Sequence, residues 1–112
     1  MVDQGNPLGA STLRRMVELA DGRLGLATTT DGVALLEGGA WRRMASTEKG
    51  AANSAFDMRL RADGTLLVAT EAGLLRERDG ALERWRDGSF AVEEPVYAIL
   101  EHEGDLWLGT RD

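Results

Sequence analysis

His102 is the only histidine in the chain, and it is the first place to look for chemistry. General acid–base catalysis needs an imidazole with a partner within hydrogen-bond reach. Its acidic neighbours are Glu101 and Glu103. Adjacent residues of a strand point to opposite faces, so neither is a natural partner, and His102 reads as a histidine at a strand end. Many of the remaining carboxylates stand in Asp-Gly pairs, at Asp21-Gly22, Asp31-Gly32, Asp63-Gly64, Asp79-Gly80 and Asp87-Gly88. Both residue types tolerate the positive φ of tight hairpin turns, so these carboxylates read as turn chemistry. No segment carries the regularly spaced oxygen ligands of a calcium loop. Cysteine is absent, which excludes disulfides and thiolate metal sites. The sequence therefore predicts no catalytic residue, no metal site and no cofactor.

Arginines recur in pairs, at Arg14-Arg15, Arg42-Arg43, Arg59 and Arg61, Arg76 and Arg78, and Arg84 and Arg86. In alternating strands they form a solvated face crossed with acidic partners, and charge of this kind also protects strand edges. A channel of repeated arginines that binds anions is the sharper alternative. The aromatic residues Trp41, Phe56, Trp85, Phe90, Tyr97 and Trp107 suit the gaps between packed sheets. Loops on a rigid scaffold carry most binding residues. The two best candidates are 45–54 and 87–95, which contain Glu48, Lys49, Asn53, Phe90, Glu93 and Glu94 without a recognisable motif. Tyr97, Asn53 and Glu93 are the candidate ligand-binding residues, Tyr97 because it follows such a loop.

A chain of 112 residues, 43% hydrophobic, suffices for one small domain with a packed core. Its formal net charge is −6, with 13 basic residues scattered among 19 acidic ones. That balance argues against nucleic acid, which wants a clustered basic surface. No stretch approaches the roughly 18 apolar residues of a membrane-spanning helix. Residues 1–7 lack the basic and apolar regions of a secretory signal.

The elements that position these residues repeat. Asp21-Gly22-Arg23-Leu24-Gly25-Leu26-Ala27-Thr28, Asp63-Gly64-Thr65-Leu66-Leu67-Val68-Ala69-Thr70 and Glu103-Gly104-Asp105-Leu106-Trp107-Leu108-Gly109-Thr110 align without gaps. The register marks are Gly22, Gly64 and Gly104, 42 and 40 residues apart, with Thr28, Thr70 and Thr110. On this alignment His102 takes the place of Ala20 and Ala62. Runs of strand length lie between the turns, and no window reads as a helix, since Leu13 to Ala20 is short and runs into Asp21-Gly22. Phe56 to Ala62 alternates as a half-solvated strand does. Leu66-Leu67-Val68-Ala69 is apolar on both parities, as in a strand sandwiched between neighbouring sheets. A period of about 40 residues with four short strands is the mark of a β-propeller blade, whereas leucine-rich repeats run shorter.

The pattern Gly-x-Leu-(Trp)-hydrophobic-Gly/Ala-Thr, followed by Gly-Leu or Gly-Val, resembles the two-component regulator propeller repeat. Glu103 to Thr110, with Trp107, is the nearest copy. The first copy departs most, with Gly25 in place of the Trp and one extra residue before Gly32. The resemblance implies an all-β partial propeller of four-stranded antiparallel blades, in the periplasmic, ligand-sensing part of a bacterial sensor whose output domain lies elsewhere. It implies the following layout: 1–12 a leader or the end of a preceding blade, 13–44 a first blade, 45–54 a loop, 55–86 a second blade, 87–95 a loop, and 96–112 the first two strands of a third. Closed propellers take at least about four blades, so further blades are expected from the same longer chain or from other subunits. Open sheet faces and an apolar edge strand from Leu106 to Thr110 follow from that count. The leading expectation is a non-catalytic sensing or scaffolding segment, with a small ligand or a protein as partner. A general protein-interaction propeller is the second. The third is an enzyme similar to the streptogramin lyases, propellers that use histidine and acidic residues for elimination, with His102 as the base.

Overall fold

Turn residues at short intervals leave runs too short for anything but strands, and the chain is built from thirteen of them among the described residues. The computed structural model describes residues 13–28, 32–46 and 54–110. It is all-β, without a helix among those residues. Strands β1 (Leu13–Glu18), β2 (Leu24–Thr28), β3 (Val33–Glu37) and β4 (Ala40–Arg43) form an antiparallel meander in that order. β5 (Ala45–Ser46) then leads to a second meander, β6 (Ala55–Leu60), β7 (Leu66–Thr70), β8 (Gly73–Arg78) and β9 (Ala81–Arg84). A small hairpin, β10 (Arg86–Asp87) and β11 (Phe90–Ala91), precedes the third sheet, the hairpin β12 (Val96–His102) and β13 (Asp105–Thr110). The four-stranded antiparallel sheets are compatible with propeller blades. Successive sheets approach each other along their first strands, β1, β6 and β12.

Two segments expected as loops carry strands. Within 45–54, β5 pairs in parallel with β9, so the chain leaving the first sheet becomes a fifth strand of the second. Within 87–95, β11 pairs back onto β10. Both arrangements give partners to backbone groups that a bare crossing would leave to solvent. Two-residue strands carry too little pattern to be read from sequence.

The repeat threonines have a structural task. Thr28 and Thr70 are fully buried, and their hydroxyls donate to the carbonyls of Gly32 and Gly73, each at 2.9 Å. Thr70 Oγ1 also accepts from the Ala72 N–H at 3.0 Å. The hydroxyl thus braces the turn between the second and third strands from inside. Thr110 ends β13 in the same register, opposite Val96.

The acidic-Gly turns differ between copies. Leu19 N–H donates to the Arg23 carbonyl at 2.7 Å, and Arg61 N–H to the Thr65 carbonyl at 2.8 Å, so each of these hairpins has a three-residue loop. In the third copy His102 pairs directly with Asp105. Its loop is only Glu103-Gly104, at φ 51° and 83°, the geometry of a type I′ turn. By strand pairing, His102 is therefore equivalent to Leu19 and Arg61, not to Ala20 and Ala62. The gapless alignment hid a one-residue deletion because the glycine stays in place.

Apolar side chains fill the seams between sheets. Leu19, Ala27, Val33 and Leu35 of the first sheet pack with Met58, Leu66, Val68, Leu75 and Leu82 of the second. Leu67, Ala69 and Leu74 pack with Val92, Val96 and Ile99 on the other side. β7 is buried on both parities, as its sequence predicts. Each fully buried leucine contributes about 1.5–3 kcal/mol.

Gly73 shows how tightly the second seam is closed. Its φ is 108°, and a Cβ there would lie 2.1 Å from the Val92 carbonyl oxygen. That carbonyl accepts from Leu74 N–H at 3.1 Å and Arg84 Nη1 at 2.8 Å, and Arg84 also donates to the Ala72 carbonyl. Gly73→Ala should cost about 2–4 kcal/mol in urea unfolding, from combined strain and clash. Gly88, with φ 64° and nothing within 4 Å of its added Cβ, should cost only about 1 kcal/mol as Ala.

Turn carboxylates also tie stability to pH. The Arg23 side chain, and then its backbone N–H, hold Asp21 below its usual range. The Thr65 N–H does the same for Asp63. Arg23 and Arg42 lower Glu37. A carboxyl lowered in the folded state adds stability above its unfolded value, about 3.9 for Asp and 4.3 for Glu, and that stability is lost as pH falls through the lower folded value. The urea midpoint should fall on acidification below about pH 4. Asp63→Asn, whose amide oxygen still accepts from Thr65, should flatten that acid limb.

Candidate functional site

The three first strands share an irregularity. Leu13 and Arg15 oppose the consecutive Thr28 and Ala27, so Arg14 is an extra residue. Phe56 is extra between Ala55 and Asp57, and Tyr97 between Val96 and Ala98. Each is a β-bulge, a device that re-aims side chains where a strand meets a site or an edge. The three bulge residues line up across the sheets. The Phe56 and Tyr97 ring centroids are 4.8 Å apart at 40°, and the Arg14 guanidinium lies 5.9 Å from the Phe56 centroid. The result is a row of cation, ring and ring along the edge where the sheets converge.

Asp57, the residue after the second bulge, sits in the seam. Its Oδ1 meets Arg15 Nε of the first sheet at 3.1 Å and accepts from Met58 N–H at 2.9 Å. Its Oδ2 accepts from Ile99 N–H of the third sheet at 2.9 Å. One carboxylate, its side chain 14% exposed, thus joins three sheets. Alternation in Phe56 to Ala62 predicts a solvated Asp57. Asp57 keeps to the face of Arg59 and Arg61, as the alternation requires, but the third sheet packs on that face and covers it. Beside it, Glu101 receives Arg61 Nε at 2.8 Å and Arg59 Nε at 3.6 Å. The paired arginines do meet acidic partners across strands, Arg42 with Glu37 and Arg76 and Arg78 with Glu83 among them.

Between β1 and β6 runs a groove of about 330 Å³, lined by Arg15, Met16, Val17, Met58, Arg59 and Leu60. Two guanidinium-bearing residues flank an apolar lining. That volume is at the low end of small-molecule sites, and a guanidinium has five N–H donors, more than one carboxylate contact consumes.

The candidates read from sequence divide. Tyr97 lies in the row at the inner edge. Glu93 is exposed in the connection between β11 and β12. Asn53 falls outside the described residues. His102 Nε2 lies 3.2 Å from Glu103 Oε2, with both side chains mostly exposed. The face rule fails for this pair because Glu103 belongs to the I′ turn and not to a strand. Trp85 packs on the second seam and Trp41 on Leu26 and Ala34 of the first sheet. Trp107, expected between sheets, is 59% exposed on the outer face of the third sheet, because no further sheet of the described residues covers it. Arg14, Phe56 and Asp57 as a constellation escaped the sequence reading. Their only signal there is that each stands, with Tyr97, about one repeat from its counterpart, which means something only once the bulges are known.

Among the described residues no group of three or more His, Asp or Glu is placed to hold a metal ion. No helix among them is long and apolar enough to cross a membrane. No protein-family model matches the chain, and a search of curated proteins returns no match.

Asp57→Ala should destabilise the chain by about 1–3 kcal/mol, because the Ile99 N–H and the Arg15 guanidinium both lose an acceptor in a mostly buried place. Asp57→Asn keeps one acceptor and should cost less. Urea unfolding of the two variants measures the difference.

Proposed function

We propose that the chain is a non-catalytic, ligand-binding segment of a β-propeller of the two-component-regulator type, in which the converging first strands form the recognition edge. The observation that carries this reading is the repetition of the bulge at Arg14, Phe56 and Tyr97, beside the groove between β1 and β6. A rigid stack of sheets whose first strands all carry the same irregularity on one edge concentrates adaptable side chains there. The ligand class that suits the lining is a small molecule with an apolar body and a carboxylate or similar anion, set between Arg15 and Arg59. The non-catalytic reading is supported by the place of His102, at an exposed turn and outside the residues lining the groove. The sensing role and the periplasmic setting rest on the repeat resemblance.

Benzoate and hexanoate serve as probes. Titration of either should shift the backbone amide signals of residues 15–17 and 58–60. Arg59→Gln should weaken that binding about tenfold, the worth of one charge-assisted hydrogen bond. Glu101 keeps Arg61 in that variant, so the fold is retained. If neither probe moves these signals, the groove is not the site.

A further inference from the structure

The groove between β1 and β6 takes its charge from Arg15 and Arg59, and each of them has a carboxylate at its back. Asp57 Oδ1 lies 3.1 Å from Arg15 Nε, and Glu101 Oε1 lies 3.6 Å from Arg59 Nε. Both arginines line the groove, and neither carboxylate does. Exposure follows the same order: the arginine side chains are 48% and 35% exposed, those of Asp57 and Glu101 only 14% and 23%. Further donors fix both carboxylates. Asp57 accepts from the Met58 and Ile99 N–H groups, and Glu101 from Arg61 Nε. The protein meets each groove arginine at its Nε, so the Nη groups are the donors left for a ligand.

The charge of the whole edge is small. On β1, β6 and β12, with Arg61 directly after β6, stand Arg14, Arg15, Arg59 and Arg61 against Glu18, Asp57 and Glu101. Four cations face three carboxylates, one net positive charge with His102 counted as neutral, on a chain whose formal net charge is −6. Attraction of a ligand to this edge grows in proportion to the ligand's charge. The cost of taking that charge out of water grows with its square. Doubling the charge therefore doubles a gain that Asp57 and Glu101 have already cut, and quadruples the cost.

We infer that the groove selects monoanions, carboxylates or sulfonates, over dianions such as phosphomonoesters, and that Asp57 and Glu101 are its specificity-determining residues. They act through Arg15 and Arg59 and do not touch the ligand. The inference rests on the groove being the ligand site.

Three ligands built on six carbons test it. Hexanesulfonate and hexyl phosphate share a tetrahedral head, but at pH 8 the first is a monoanion and the second mostly a dianion, its second pKa being about 6. Hexanoate is the third. Each is titrated on the amide signals of residues 15–17 and 58–60, at about 0.1 M salt, where charges within about 10 Å are still felt. Hexanoate and hexanesulfonate should each bind about fivefold more tightly than hexyl phosphate, the scale of one partly exposed charge interaction. Asp57→Asn and Glu101→Gln each remove one negative charge and keep an acceptor. Each should lower the sulfonate-to-phosphate affinity ratio at least about twofold. The ratio is the readout because a loosened groove weakens both ligands alike. Circular dichroism checks folding, and Glu101→Gln leaves the Asp57 tie intact if Asp57→Asn unfolds. Signals unmoved by all three ligands overturn the groove as the site, and this inference with it. Hexyl phosphate that binds the wild type as tightly as hexanesulfonate, or a ratio unchanged in the folded variants, overturns the selection of monoanions while the groove stands.

Discussion

The Asp57 carboxylate is the constraint on which the arrangement of the sheets depends. It holds Arg15 of the first sheet and the Ile99 N–H of the third while belonging to the second. A mostly buried carboxylate with a cation on one oxygen and a backbone donor on the other is satisfied only in one geometry, so it sets the spacing of three strands at once. Hydrophobic seams alone would allow the sheets to slide, since apolar burial has no direction. Polar pairing at the inner edge removes that freedom. At the outer edge the short parallel pair of β5 with β9 does the same for the first two sheets.

A bulge stands immediately before Asp57. The bulge inserts one residue into each first strand and brings Phe56 and Tyr97 together where the sheets converge. The same displacement puts Arg14 over the ring of Phe56. Structure and prospective site are thus neighbours: the carboxylate that ties the sheets directly follows the irregularity that presents their side chains. The array divides into a polar edge with a groove, and apolar faces on which, among the described residues, Met16, Leu100 and Trp107 are the exposed large side chains.

Much of this was legible in the residues. Gly22 and Gly64 with Thr28 and Thr70 mark strand ends because a positive-φ turn and a buried hydroxyl are chemical requirements that few residue types meet. The two-sided burial of β7 follows from an unbroken apolar run. The bulges were not legible, because an extra residue leaves no trace in composition and is visible only as a shift between paired strands. His102 was misplaced by one position for a related reason: a gapless alignment on Gly104 cannot show that the third turn is shorter. Trp107 carries the same aromatic signal whether a sheet covers it or not.

What the sequence by itself determined is the local grammar: the period, the strands, the acidic-Gly turns and the apolar parity. These depend on residues within a few positions of one another, where φ preference and alternation act directly. The tertiary structure alone decided which sheets touch, where each first strand bulges, that Asp57 serves three sheets and that Trp107 faces outward. Those outcomes depend on contacts between residues about 40 positions apart, and a side chain's role there is set by what the neighbouring sheet places opposite it.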